Sequence, residues 1–285
     1  MRVLVTGANG YLGQGIIKEI IDNGHEVVAT EFSIHHVDKR AETIACDLFE
    51  MENPYQAFGE PDLLLHLAWR DGFVHYSDAH IEDLPKHYKF IKTLVDSGIK
   101  KIAIIGSMHE IGFFEGCIAE ETPCNPVTPY GISKNTLRQL SQMLAKQHQV
   151  IFQWLRGYYI VGNSKWGNSV FSKLTAAEEE GKPEFPFTTG QNQYDFIDYE
   201  EFCIQVAAAI GQSKINGIIN ICSGKPEKLA DRVERFIKDN HYSIKLKYGA
   251  FPERPYDSQA VWADGSKIQA ILENKEYKAG GLDNE

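Results

Sequence analysis

Short apolar runs alternate along the chain with stretches in which apolar residues recur every three or four positions. The runs predict buried strands of a parallel sheet in MRVLV, HEVVATE, TIACDL, PDLLLHLAW, IKKIAIIGS and VIFQWLRGYYIVG. The helical spacing appears in IIKEIIDNG, HYKFIKTLVDSG and ISKNTLRQLSQMLAKQH. Regular alternation of strand and helix predicts an α/β fold with a doubly wound parallel sheet.

The alternation loosens after about residue 163. GKPEFPFTTGQNQ predicts a loop, GIINICSG predicts a strand, and YEEFCIQVAAAIGQ and KLADRVERFIKDN predict helices. We therefore predict a large domain over residues 1–162 and a smaller lobe over residues 163–285, some segments of which can return to the main sheet.

A glycine-rich turn joins the first predicted strand to the first predicted helix in VTGANGYLGQG, residues 5–15. Gly7, Gly10 and Gly13 lack a Cβ, so the backbone can turn sharply and a diphosphate can approach the helix N-terminus. This arrangement predicts a Rossmann-type dinucleotide site in residues 1–162, which leaves substrate binding to the smaller lobe.

An acidic residue is expected at the end of the second strand of such a unit, where it accepts the ribose hydroxyls. Glu31 closes HEVVATE, eighteen residues after Gly13, and its carboxylate would repel a 2′-phosphate. NAD is therefore the expected cofactor, while the nearby basic residues leave NADP open: His35, His36, Lys39 and Arg40. Asp47 is expected to end the third strand and face the adenine.

Charge and composition exclude several classes of protein. The formal charge of −10 argues against nucleic acid as a partner. No stretch approaches the roughly eighteen apolar residues that a membrane span needs, so we expect no membrane association and a cytoplasmic protein. Five scattered cysteines without a CxxC pair predict reduced thiols and no metal site.

Candidate chemistry appears in TPYGISKNTLRQL, where Tyr130 and Lys134 are four residues apart at the start of a helix. Both side chains are expected on one face, one turn apart. An ammonium there would draw the phenol pKa down from its usual value near 10. Ser107 ends the strand in AIIGSMHEIG, and its hydroxyl could hold a substrate oxygen beside the phenol.

Several motifs occur in the order seen in the extended short-chain dehydrogenase/reductases: TGxxGxxG, CDL, LLHLAW, GSMHEIG, PYGISK, LRGYYIVG, YDFIDYEEF and INICSGKP. The chain thus resembles the NAD-dependent epimerase/dehydratase group, which acts on nucleotide sugars. The resemblance implies hydride transfer at a sugar carbon, commonly C4, with Ser107, Tyr130 and Lys134 as the catalytic triad. It implies cofactor contacts at Tyr130 and Lys134 and at Gly7, Asn9, Gly10, Tyr11, Leu12, Gly13, Glu31, Asp47, Leu48, Leu67 and Ala68.

Departures from the family pattern favour one reaction. The family's 4,6-dehydratases carry an Asp and a Glu after the catalytic hydroxyl residue, where this chain has Met108 and His109. Glu110 comes one position late and would face the other way on an extended segment. We therefore predict reduction of a 4-keto-6-deoxy sugar nucleotide at C4. The alternatives are a nucleotide-sugar 4-epimerase and a non-catalytic dinucleotide-binding sensor.

Other departures bear on the substrate and on assembly. Tyr194 replaces the family's diphosphate arginine, and Tyr159 replaces its asparagine. Arg254 stands where a second diphosphate arginine is often found, with Arg70 and Lys173 as weaker candidates, and His109 could contact the sugar. The resemblance also implies a homodimer packed through the helix that carries Tyr130, which offers an apolar set: Ile132, Leu137, Leu140 and Leu144.

Overall fold

The structure is a computed structural model that describes residues 1–162, 169–252 and 258–274. Its strands in these ranges, numbered in chain order, are β1 (Arg2–Thr6), β2 (Glu26–Glu31), β3 (Glu42–Ala45), β4 (Leu63–His66), β5 (Lys101–Ser107), β6 (Gly116–Ile118), β7 (Ile151–Gly157), β8 (Tyr159–Val161), β9 (Glu184–Pro186), β10 (Gln193–Asp198), β11 (Gly217–Ile221), β12 (Pro226–Lys228), β13 (Lys245–Lys247) and β14 (Ala260–Ala263). The helices are α1 (Tyr11–Asp22), α2 (Pro54–Ala57), α3 (Ala79–Asp96), α4 (Pro129–His148), α5 (Val170–Glu179), α6 (Tyr199–Ile210), α7 (Leu229–Asp239) and α8 (Ser266–Leu272), with a 3₁₀ turn over Met108–Glu110.

The main sheet has seven parallel strands in the order β11-β7-β5-β4-β1-β2-β3, covered on both faces. Ile16, Ile17 and Phe202 belong to a buried cluster on the side of α1 and α6. Leu94 and Leu137 belong to a second cluster on the side of α3 and α4. This confirms the predicted doubly wound, Rossmann-type fold.

The order of strands reverses between β1 and β4, which are neighbours in the middle of the sheet. Sheets of this kind bind ligands outside the carboxyl ends of the strands at such a reversal. Thr6 ends β1 there, Ser107 ends β5, and both are buried. The fold therefore brings the glycine turn and the predicted catalytic serine to one edge.

The second half of the chain contributes strands to the main sheet and to a second sheet. β11 returns to the main sheet beside β7, as the sequence allowed, whereas β12, β10, β14 and β6 form a second sheet. β8 leaves the main sheet and pairs with β10, so VIFQWLRGYYIVG forms two strands rather than the single strand expected. The predicted loop GKPEFPFTTGQNQ contains β9, which pairs with β13. The division of the chain at residue 162 stays a prediction.

Gly106 gives a test of packing at the end of β5. A Cβ added there would lie 2.0 Å from Nε1 of the buried Trp154. We expect Gly106→Ala to lower the free energy of unfolding by about 1–3 kcal/mol, because a packed core accommodates an added methyl only by shifting its neighbours. Gly72→Ala is the matched control, since a Cβ there meets no heavy atom within 4 Å. Equal stabilities of the two variants in chemical denaturation would contradict this account.

Candidate active site

The glycine turn has the geometry that the sequence predicted. Gly7 has a φ of +71°, and a Cβ there would lie 2.6 Å from the backbone nitrogen of Ala68. A Cβ on Gly13 would lie 2.5 Å from the carbonyl oxygens of Gly7 and Ala8. α1 begins after Gly10 with no side chain capping its first amides. The N-terminus of α1 thus presents free backbone donors to an anion, which is what a dinucleotide diphosphate requires.

Tyr199 of α6 holds the start of α1 from the second half of the chain. Its hydroxyl donates to the Tyr11 carbonyl oxygen at 2.5 Å and accepts the Gly15 amide at 3.0 Å. The two tyrosine rings are 4.4 Å apart between centroids. This contact fixes the helix N-terminus relative to the sheet. The Asn9 side-chain oxygen accepts the His36 amide at 2.8 Å and holds the next loop.

The predicted ribose and adenine residues lie at the carboxyl edge near β2 and β3. Glu31 ends β2, and its carboxylate accepts the Phe32 amide at 3.0 Å. Asp47 lies two residues beyond the end of β3 rather than at it, because its carboxylate accepts the Phe49 amide and closes a turn. Leu48 is buried beside this turn, whereas Leu12, Leu67 and Ala68 are half-buried.

Ser107, Tyr130 and Lys134 lie together. Tyr130 is in the first turn of α4, which Thr128 caps by accepting the Gly131 amide. The Ser107 hydroxyl interacts with the Tyr130 phenol and favours its ionised form. The buried Lys134 ammonium donates to the Ile105 carbonyl oxygen at 2.9 Å.

Protonation in the site differs from the sequence-based expectation. Burial raises the pKa of Tyr130 to about 12, although the Ser107 hydroxyl acts in the opposite sense. Burial also lowers the pKa of Lys134 to about 7. The Lys134 nitrogen lies 6.0 Å from the centroid of the Tyr130 ring and 3.9 Å from that of Trp69. The chain by itself therefore keeps the phenol protonated, because burial disfavours both the phenolate of Tyr130 and the charged form of Lys134.

The 3₁₀ turn after Ser107 sorts its three side chains. Met108 packs into the core, and His109 lies 4.2 Å from His75 between ring centroids. Glu110 is fully buried and accepts the Trp154 indole N–H at 2.9 Å and Arg156 Nε at 2.5 Å. The segment is a tight turn rather than the extended segment expected, and the Glu110 carboxylate is engaged by Trp154 and Arg156. No carboxylate of this turn can therefore act on a substrate beside Tyr130.

Three residues around the Tyr130 ring escaped prediction as site residues. His75 stacks on it at 5.0 Å between centroids, with 8° between the planes. His80 and Trp69 meet it edge-on at 5.2 and 6.3 Å. The only signal in the sequence is density, since four of the ten histidines fall between positions 66 and 87.

The predicted substrate residues separate into two places. His109 lies near Tyr130, at 6.0 Å between rings. Tyr159 and Tyr194 lie together at the starts of β8 and β10, 4.7 Å apart between rings. Arg70 is held in ion pairs by Glu82 and Asp83. Arg254 lies outside the described residues.

The glycine turn before α1, together with Ser107, Tyr130 and Lys134, defines a dinucleotide-binding protein of the short-chain oxidoreductase type. The profile of the NAD dependent epimerase/dehydratase family matches residues 3–222. The chain belongs to this family, which confirms the resemblance inferred from the motifs. The family match also confirms the expected cofactor, NAD.

Relatives are similar over nearly the whole chain. A dTDP-6-deoxy-L-talose 4-dehydrogenase (NAD(+)) from Aggregatibacter actinomycetemcomitans is 42% identical over 92% of this chain and 99% of its own length. The structure of a UDP-N-acetylglucosamine 4-epimerase from Methanobrevibacter ruminantium matches with a TM-score of 0.82 at 20% identity, covering 99% of this chain and 93% of that one. A UDP-glucuronic acid 4-epimerase from Bacillus cereus matches with a TM-score of 0.78 at 20% identity, covering 98% and 95%. These two structures support the fold alone.

None of the helices in the described residues is both long and apolar enough to cross a membrane. Within the same part of the chain, no group of three or more His, Cys, Asp or Glu residues is arranged to hold a metal ion. The cytoplasmic location stays a prediction.

The buried contact of Glu110 gives a second test. Glu110→Gln removes the negative charge beside the fully buried Arg156 and sets an amide N–H group against the Trp154 donor. We expect it to lower the free energy of unfolding by about 3–5 kcal/mol, because an unpaired buried charge is costly. Glu50→Gln on the exposed surface is the control. A loss below about 1 kcal/mol in urea titration would contradict the role given to this pair.

Proposed function

We propose that this chain catalyses reversible, NAD-dependent oxidoreduction at C4 of a nucleotide-linked 6-deoxy sugar. The observation that carries the proposal is the grouping of Ser107, Tyr130 and the buried Lys134 at the edge of the sheet where the glycine turn lies. The 42% identical relative, named for oxidation of a 6-deoxysugar nucleotide at the 4 position, supports the carbon, the deoxy sugar and the dTDP group.

The residues present fit a dinucleotide. The uncapped amides at the start of α1 would take the diphosphate, and Glu31 would accept the ribose hydroxyls. Lys134 would hold the nicotinamide ribose, and Asp47, Leu48, Leu67 and Ala68 would line the remaining contacts. Bound in this way, NAD supplies hydride transfer to or from the sugar carbon.

Tyr130 moves the proton in either direction of the reaction. In reduction, the neutral phenol donates its proton to the C4 oxygen, and in oxidation the phenolate takes it from the C4 hydroxyl. Ser107 orients that oxygen through its own hydroxyl. The raised pKa of Tyr130 favours the protonated form, which is the form required for reduction.

The turn after Ser107 supports simple redox chemistry over dehydration. Loss of water across C5 and C6 needs an acid and a base beside the sugar, yet Met108 is apolar and Glu110 is committed to Trp154 and Arg156. His109 remains, and burial lowers its pKa to about 4, so it is a neutral hydrogen-bonding group at pH 7. A 6-deoxy sugar has no C6 hydroxyl to lose, which matches this set of side chains.

Direction follows from concentrations rather than from the site. The relative's name describes oxidation of the 4-hydroxyl, whereas the sequence predicted reduction of the 4-ketone. Both are the same hydride and proton transfers read in opposite senses. We therefore propose one activity measured from either side, with Tyr159, Tyr194, His109 and Arg254 as substrate contacts.

Homodimerisation through α4 is part of the proposal. Leu137 and Leu144 are buried within the chain, and Leu140 is half-buried, so they offer less surface than the sequence suggested. Ile132 and Met143 are each 48% exposed and support an apolar contact on α4.

The activity test uses dTDP-6-deoxy-L-talose with NAD⁺. We expect absorbance at the reduced-nicotinamide band to grow with formation of the 4-keto sugar, and the reverse when the ketone is supplied with NADH. Tyr130→Phe should lower kcat by about 10²–10⁴-fold, because it removes the proton carrier. Tyr76→Phe, on an exposed ring, is the matched control.

Two outcomes would contradict this function. Interconversion of two C4 epimers without net absorbance change would make the chain a 4-epimerase. Tight NAD binding without turnover of sugar nucleotides by either route would favour a sensor.

Cofactor preference is tested by thermal unfolding. We expect NAD to raise the Tm more than NADP at equal concentration, because Glu31 disfavours a 2′-phosphate while the Arg40 guanidinium is engaged by Asp22 and Asp38. Glu31→Gln should narrow the difference, whereas Glu26→Gln at the other end of β2 should not. A larger shift with NADP in the wild-type protein would overturn the preference.

A further inference from the structure

Residues 70–78, between β4 and α3, form the β4–α3 loop, which is held by its own hydrogen bonds. The Asp71 carbonyl accepts the Val74 amide at 2.7 Å, and the Asp71 carboxylate accepts the Ser77 hydroxyl at 2.6 Å. Val74 in turn accepts the Ser77 amide at 2.9 Å. Arg70 joins the start of the loop to Asp83 on α3 at 2.8 Å. The loop is therefore held in one conformation by its own contacts and by its ion pair with α3.

His80 holds the β4–α3 loop against the site. Its Nδ1 accepts the Trp69 indole N–H at 3.0 Å, and its Nε2 lies 2.9 Å from the Val74 carbonyl oxygen. An indole can only donate and a carbonyl can only accept, so His80 is the neutral tautomer with its proton on Nε2. The side chain is buried. Both ring nitrogens are thus used to hold the loop against Trp69.

His75 is the residue of the loop that turns inward. Its ring stacks on the phenol of Tyr130, and its carbonyl oxygen accepts the Tyr130 amide at 3.1 Å. Burial lowers the pKa of His75, so the imidazole is neutral and brings no charge to the phenol. The next residue, Tyr76, is 74% exposed. One side chain of the loop therefore covers the ring that the proposed reaction uses, while its neighbour faces solvent.

We propose that His75 and His80 are positioning residues for Tyr130: His80 clasps the β4–α3 loop to Trp69, and the His75 ring holds the phenol in line with Ser107. This inference rests on the proposed function for its kinetic consequence. Tyr130 lies in the first turn of a helix, and Trp69 and His80 meet its ring edge-on. The His75 ring, packed flat on the face of the phenol, therefore restricts tilting of the phenol about its side-chain bonds. A displacement of about 1 Å at a reacting group can cost roughly 10²-fold in rate.

The test compares three variants with a control on the same loop. His75→Ala removes the stacked ring, His75→Phe keeps a ring without nitrogens, and His80→Phe removes both clasp hydrogen bonds. Tyr76→Ala removes an outward ring and is the control. Each is assayed for kcat and KM in the proposed reaction. Each is also labelled with 3-fluorotyrosine, and Tyr130→Phe assigns the fluorine signal of Tyr130 in NMR spectra.

We expect His75→Ala and His80→Phe to lower kcat by about 10–100-fold with little change in the KM for NAD, and to shift or split the Tyr130 fluorine signal. His75→Phe should restore kcat to near the wild-type value and return a single signal. Tyr76→Ala should change neither readout.

Two results would overturn the proposal. An unchanged Tyr130 signal and kcat in His75→Ala would show that the stack positions nothing. An equal loss of kcat in His75→Phe would assign the effect to the imidazole nitrogens. The fluorine measurement needs no substrate, so it decides the positioning role even if the chain acts on a different sugar. Should His75→Ala fail to fold, His80→Phe still tests the two hydrogen bonds that hold the loop. His75→Phe still tests whether an aromatic ring without nitrogens is sufficient at this position.

Discussion

A buried ion pair between Glu110 and Arg156 sets the arrangement of the catalytic edge. Both side chains are fully buried, so each charge depends on the other. Trp154 donates to the same carboxylate, and Arg156 also reaches the Ala119 carbonyl oxygen at 3.3 Å. The pair thereby ties the turn after β5 to β7 and to the chain beyond β6.

The buried position of the Glu110 side chain determines where the neighbouring side chains of the turn lie. With that carboxylate bonded to Trp154 and Arg156, a tight turn places Met108 in the core and His109 near Tyr130. Ser107 remains at the strand end with its hydroxyl toward the phenol. The same interaction that stabilises the edge therefore holds the one carboxylate of this turn in the core, where Trp154 and Arg156 engage it.

The local parts of the site were readable from the sequence because their geometry is set within a few residues. The glycine turn follows from the positive φ of Gly7 and the close approach at Gly13, and the pairing of Tyr130 with Lys134 follows from helical spacing. The β4–α3 loop was not readable, because His75 reaches Tyr130 only through a fold that joins residues 55 positions apart in the sequence. The phenol pKa was misjudged for the same reason, since burial depends on distant packing.

Asp195 connects the second sheet to the main sheet. This fully buried carboxylate accepts amides from Ser223, Gly224 and Ala263 and the hydroxyl of Ser223, joining the end of β11 in the main sheet to β10 and β14 in the second sheet. A hinge opening between the two sheets would strip these donors from a charge that has no other solvation. Asp195 therefore acts as a buried polar anchor between the two sheets, and separating them would leave its carboxylate without hydrogen-bond donors.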